Sequence, residues 1–157
     1  MRMRQGVTST LDIFRPLNIQ ATYFTNGYSF LNGNIERRTF MGDPTFSWAR
    51  STPPYNWKSD RWTSTPWFSS DPYGTVQSDP GWYLGDLLAP LRSQGQDIQS
   101  HSFSHMYMGF ASVDELKRDL STWNVIAAEQ AVDSARALAF PWSGSAGLAD
   151  GSWDALE

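Results

Sequence analysis

An α/β fold with parallel strands is what this 157-residue sequence predicts, and three observations carry it. Segments rich in β-branched and aromatic residues alternate with segments of helical period. The apolar residues of those helical segments leave one face to pack on a sheet. The single His-x-x-x-His pattern, His101 to His105, directly follows a predicted strand, where parallel α/β folds gather their sites.

The first element is a short helix over Thr8 to Leu17, with Ser and Thr caps ahead of Leu11, Phe14 and Leu17 and with Pro16 weakening its end. Residues 19–26 then read as a buried strand closed by Asn26-Gly27. A helix feeding a strand is half of a βαβ unit, which requires an earlier parallel strand, and Met1 to Val7 make a poor one. From Tyr28 to Pro80 periodicity is lost among Pro, Gly, Ser and Trp. An insertion of that length is functional or disordered, and its aromatic content argues for order near the C-terminal ends of the strands. Trp48, Trp57, Trp62 and Trp67 are read mostly as rings that bury one another, with a minority facing a site.

Regularity returns with Leu84, Leu87, Leu88 and Leu91 at helical spacing and Gly95 as the stop. A strand over 96–101 delivers His101. Ser112-Val113-Asp114-Glu115 is a capping box, and Val113, Leu116, Leu120, Trp123 and Ala127 trace one face of the helix it opens. Residues 136–141 are the next strand, turned by Pro141-Trp142-Ser143-Gly144, and Asp150 begins another helix. There are no internal repeats, and the length suits one domain.

Composition excludes several functions. The net charge of -4, with scattered Lys and Arg, offers no stripe for a phosphate backbone and excludes nucleic acid as a partner. No apolar run reaches bilayer length, so a soluble chain without a membrane span is expected. The absence of Cys removes disulfides, thiolate metal sites and a Cys nucleophile, and leaves the compartment open. An aromatic share of 15%, with eight Trp, raises the weight of carbohydrate ligands, since such rings stack on sugar faces.

Two histidines placed at random fall four apart in roughly one chance in eighty, counting pairs. Neutral imidazoles at that spacing can converge on one divalent ion, and the hydroxyls of Ser102 and Ser104 are candidates to orient them. An isolated pair of this kind is as often incidental as ligating, so the surrounding elements must decide.

Those elements are the Ala21-Thr22-Tyr23-Phe24 strand, the segment Gly95-Gln96-Asp97-Ile98-Gln99-Ser100-His101-Ser102-Phe103-Ser104-His105, a capped helix, and a strand ending Phe140-Pro141-Trp142-Ser143-Gly144. Together they resemble the polysaccharide deacetylase family, the NodB-homology domain of carbohydrate esterase family four. The resemblance covers residues 8–27 and 81–157, with the insertion between them. It is most specific at His101, Ser102 and His105, which meet the family's His-(Ser/Thr)-x-x-His motif.

The resemblance implies a partial, distorted (β/α) barrel and metal-dependent hydrolysis of N- or O-acetyl groups on a polysaccharide or oligosaccharide. His101 and His105 would be metal ligands, with zinc the first choice and cobalt or nickel behind it. Phe140, Pro141 and Trp142 would contact substrate, and the Trp142 backbone N–H would face the oxyanion. The sequence departs from the pattern in ways that bear on chemistry. The family's Asp-Asp pair, which supplies the base and the third ligand, has no match before Thr8, and Ala139 stands where an arginine is expected. The later motifs with the general acid are also unmatched, so the chain reads as a piece of a larger domain with weak metal binding and little turnover. Asp97 occupies a place that in the family is structural. Open sheet edges would favour a homo-oligomer. The competing reading is a non-catalytic carbohydrate-binding module that works through the Trp-rich insertion.

Overall fold

The computed structural model describes residues 2–36, 38, 74–81, 83–143, 148, 151, 153, 154 and 156. These residues form a mixed α/β arrangement: helix α1 (Arg2–Leu17), strand β1 (Thr22–Thr25), helix α2 (Leu88–Ser93), strand β2 (Asp97–Ser100) and helix α3 (Val113–Glu129). Single 3-10 turns lie at Gly27–Phe30, Gly85–Leu87, Met108–Phe110 and Pro141–Ser143. Trp48, Trp57, Trp62 and Trp67 lie outside the described residues, and with them the expected position of most of the insertion.

Helix α1 begins well before the expected Thr8, so residues 2–7 are helical and supply no strand. Arg, Met and Gln in that stretch are good helix formers, and no Pro or β-branched run interrupts them. The helix stops at Asn18, left-handed at φ 50, where the N–H groups of Asn18 and Ile19 donate to the Arg15 and Phe14 carbonyls. Its packing face runs through Val7 and Leu11. Leu17, expected in that stripe, is 62% exposed. Arg4 reaches across to Asp86 with two N–H groups and also donates to the Tyr83 and Pro80 carbonyls, tying α1 to the segment before α2.

Strands β1 and β2 pair in parallel from Thr22 opposite Asp97 to Thr25 opposite Ser100. The strand expected over 19–26 is therefore four residues long, and it is half-buried where a buried strand was expected, with Phe24 43% exposed. The reason is its position: among the described residues β2 covers one edge of β1 and no strand covers the other. The strand expected over 136–141 contracts to one parallel bridge between Leu138 and Ser100. The Gln99 amide oxygen accepts the N–H groups of Arg136 and Ala137, ending the ladder, and the chain then turns at Trp142 with φ 64. Past residue 150 the expected helix is a turn among the described residues, with Leu156 N–H donating to the Trp153 carbonyl.

The Ser112 capping box forms as expected, with Ser112 and Glu115 each accepting the other's backbone N–H. Leu116, Trp123, Ile126 and Ala127 are buried along the α3 face, each large apolar side chain contributing about 1.5–3 kcal/mol. Trp123 joins layers: its ring lies 5.0 Å from that of Phe30, and its indole N–H donates to the Thr25 carbonyl at 2.8 Å. A second buried cluster of Met106, Tyr107, Met108, Ala111 and Leu116 sits beneath the loop that carries the histidines. No helix among the described residues is long and apolar enough to cross a membrane.

Candidate functional site

His101 leaves β2 with its N–H on the Thr25 carbonyl at 2.9 Å, fixing it at the C-terminal end of the parallel pair. The loop from His101 to Tyr107 then folds back so that the two imidazoles meet, their Nε2 atoms 3.1 Å apart and ring centroids 4.8 Å apart. Folding back this tightly needs left-handed backbone at Ser102 (φ 60) and His105 (φ 57). With Trp142 these are three of the five non-glycine residues of positive φ described in the chain, so backbone strain is concentrated here. Such conformations persist where surrounding contacts over-determine them.

The contacts are identifiable. His101 Nδ1 lies 2.9 Å from the Ala139 carbonyl oxygen, which only accepts, so Nδ1 carries hydrogen and Nε2 is the bare nitrogen of this ring's neutral tautomer. Burial, followed by the charge on His101, pushes the His105 imidazole down to about 3, so His105 is neutral in ordinary buffers. With His101 in that tautomer and no ion present, the Nε2–H of His105 donates to Nε2 of His101. The Trp142 indole N–H donates to the His105 carbonyl at 2.9 Å, and the two rings meet edge to face at 4.5 Å.

Below the loop, Asp119 of α3 is completely buried. Its carboxylate accepts the Phe103 N–H at 2.7 Å, the Ser104 N–H at 3.0 Å and the Ser104 hydroxyl. Burial pushes this carboxyl up to about 6, while the donors from Ser104 and Phe103 oppose the rise. The Ser104 proton therefore serves Asp119 and does not orient an imidazole, a correction to the sequence reading. The Ser102 hydroxyl, fully buried nearby, joins the Ser104 and Phe103 donors in holding the Asp119 carboxyl down.

The geometry can be tested against a metal. Two nitrogens each about 2.05 Å from one tetrahedral ion lie roughly 3.3 Å apart. The observed 3.1 Å separation is close to that, and the Nδ1–H to carbonyl bond of His101 is the usual way a ligating imidazole is oriented. The separation suits two ligands of a divalent ion, and equally the hydrogen bond between the two rings. No group of three or more His, Asp or Glu side chains able to hold an ion occurs among the described residues. Asp97 is bonded to Gln99, Thr22 and Arg136, with the Gln99 bond first in holding its carboxyl below the usual range. It stands four residues before His101, about 13 Å along an extended strand.

Both histidines open onto a groove of about 460 Å³ bordered by all four residues of β1, by Met3 and Val7 of α1, and by Leu84 and Leu88. Phe140, Pro141 and Trp142 do not line it. Pro141 is buried, and Phe140 and Trp142 pack on the second core cluster. The contacts Trp142 makes with His105 come from its side chain, where the sequence reading emphasised its backbone N–H.

Sequence reasoning missed Asp119 and the Ala139 carbonyl. Asp119 left a signal, because a charged residue three positions after Leu116 and four before Trp123 interrupts an apolar stripe. A backbone carbonyl leaves none. No protein-family model, curated protein or solved structure matches the chain.

Proposed function

We propose that this chain carries the histidine half of a metal centre of the carbohydrate deacetylase type, for hydrolysis of N- or O-acetyl groups on a polysaccharide or oligosaccharide. The observation that carries the reading is the 3.1 Å approach of the two Nε2 atoms, with His101 held by its Nδ1–H on the Ala139 carbonyl. Its place at the C-terminal ends of parallel segments supports the family resemblance, in which β1, β2 and the Leu138 bridge would be consecutive members of a distorted barrel. The edge of β1 that no strand covers among the described residues is compatible with pairing to a second copy of the chain.

Zinc, or cobalt or nickel in its place, would supply Lewis acidity toward an acetyl carbonyl and an acidified water. His101 and His105 would hold it as neutral ligands, with the Nε2 proton of His105 moved to its buried Nδ1. The Ala139 carbonyl fixes the tautomer of His101. Trp142 holds the His105 backbone and covers one edge of its ring. Two neutral ligands leave the cation uncompensated, so weak binding and hydrolysis close to the buffer rate are expected of this chain alone, since general acid–base help is worth about a hundredfold to ten-thousandfold.

Acetate release from N-acetylglucosamine oligomers with zinc or cobalt tests the reading on three proteins: the chain, His101→Ala, and a version extended upstream with an Asp-Asp strand. The extended version should turn over only with metal and lose that activity when His101 is changed. Metal-independent retention of the oligomers, unaffected by His101→Ala, would instead identify a binding module.

A further inference from the structure

We propose that Asp119 is the positioning residue of the His101–His105 pair, setting the separation of the imidazoles through the backbone between them; this rests on the metal-site reading above. The two residues it grips, Phe103 and Ser104, lie inside the four-residue span from His101 to His105. Gripping both N–H groups with one carboxylate draws consecutive peptides toward α3. The loop meets that demand with left-handed residues on each side, at Ser102 and at His105. Those turns bring the Nε2 atoms to 3.1 Å.

A purely structural role explains the residue poorly. Asp119 is fully buried on the apolar face of α3, and no ion pair to it occurs among the described residues. A buried, unpaired carboxylate is unfavourable, and an apolar residue of similar size would pack the helix better at this point. What an apolar residue cannot supply is an acceptor for three donors at once. An Asn offers one acceptor oxygen, and its NH2 would face N–H groups that themselves donate. The loop would then be free to relax toward ordinary φ values and let the rings part.

Zinc affinity, measured calorimetrically on the full chain, tests this with five proteins: wild type, His101→Ala, Asp119→Asn, Ser104→Ala and Ile126→Ala. Ile126 is completely buried in the first core cluster and serves as a control for general destabilisation. Groups that orient metal ligands typically contribute tenfold to a hundredfold in affinity, and a loss of roughly that size is expected for Asp119→Asn. Ser104→Ala, which keeps both backbone donors, should bind zinc only a few-fold more weakly. It carries the test if Asp119→Asn does not fold. Ile126→Ala should bind within about twofold of wild type while melting lower. Hydrogen exchange supplies an independent readout, because the Phe103 and Ser104 amides should exchange faster in Asp119→Asn while the α3 amides stay protected. Wild-type affinity in Asp119→Asn, or an equal loss in Ile126→Ala, would overturn the inference and leave the metal reading standing. Wild type binding zinc no better than His101→Ala would overturn both.

Discussion

Gly27→Ala puts the packing beneath the histidine loop to a quantitative test. A methyl group at Gly27 would lie 2.0 Å from Cδ2 of Phe103, with two more atoms of the same ring at 2.7 and 2.8 Å. Carbon atoms rest about 3.5–4.0 Å apart, so the ring would have to move by roughly 1.5 Å. Phe103 has little room to do so. It is fully buried, its ring packs on Tyr28 with centroids 4.9 Å apart, and its N–H is held by Asp119. Overpacking of this kind costs about 1–3 kcal/mol, and the depth of the overlap puts it near the top of the range. Gly27 does not have positive φ, so alanine recovers about 0.4–1 kcal/mol from the unfolded chain. The net expectation is a loss of about 2 kcal/mol by urea denaturation with an unchanged m-value. In a Phe103→Ala background the same substitution should cost less than about 0.5 kcal/mol, because alanine lacks Cγ, Cδ2 and Cε2, the three atoms of the overlap. A cost near zero in the wild type, or equal costs in both backgrounds, would refute the packing described here.

Three further outcomes are expected. Folding raises the Asp119 carboxyl from 3.8 to about 6, so the folded chain holds the extra proton between those values. This contribution to stability is complete below about pH 4 and lost as pH rises through 6, and Asp119→Asn should remove a dependence of up to about 3 kcal/mol between pH 4 and 7. A difference between the two proteins that is flat across this range would rule it out. Arg4→Ala should destabilise by about 1–2 kcal/mol in chemical denaturation, because it loses two carbonyl contacts besides Asp86. Asp86→Ala breaks only the partly exposed ion pair, for about 0.2–1 kcal/mol, and equal effects would show the carbonyl contacts to be idle. Ser112→Ala should cost about 1 kcal/mol and fray the first turn of α3, seen as faster exchange at Glu115.

How much of this was legible in the sequence depended on whether a residue acts through its own pattern or through a distant partner. The α3 capping box was readable because both members lie within four residues, and β2 was readable from its place between the Gly95 helix stop and the histidines, although Ile98 is its one apolar residue. Helix endings show the contrast well. α1, α2 and α3 close with left-handed residues at Asn18, Gly95 and Ala131, and each is followed by the same pair of N–H to carbonyl bonds. Gly95 signals itself and Asn18 does so more weakly, whereas Ala131 has no local reason to turn left-handed. β1 was read as too long and too buried, since composition reports β preference and cannot show that one edge lacks a covering strand. The strand over 136–141 failed for a long-range reason, the Gln99 side chain intercepting its N–H groups. The meeting of the His101 and His105 rings was legible from their spacing. Asp119, fifteen and sixteen residues from the two amides it holds, was visible only as an interruption of an apolar stripe.

The most direct test of the central claim is nitrogen NMR of the two imidazoles during a zinc titration. The tautomer deduced here places hydrogen on Nδ1 of His101 before metal is added and keeps it there afterward, on the Ala139 carbonyl. Zinc should shift the Nε2 resonances of both rings together, at one stoichiometry, while the His101 Nδ1–H signal persists. Nε2 resonances that do not respond to zinc, or a His101 ring that binds it through Nδ1, would contradict the assignment of this pair as a metal-holding site.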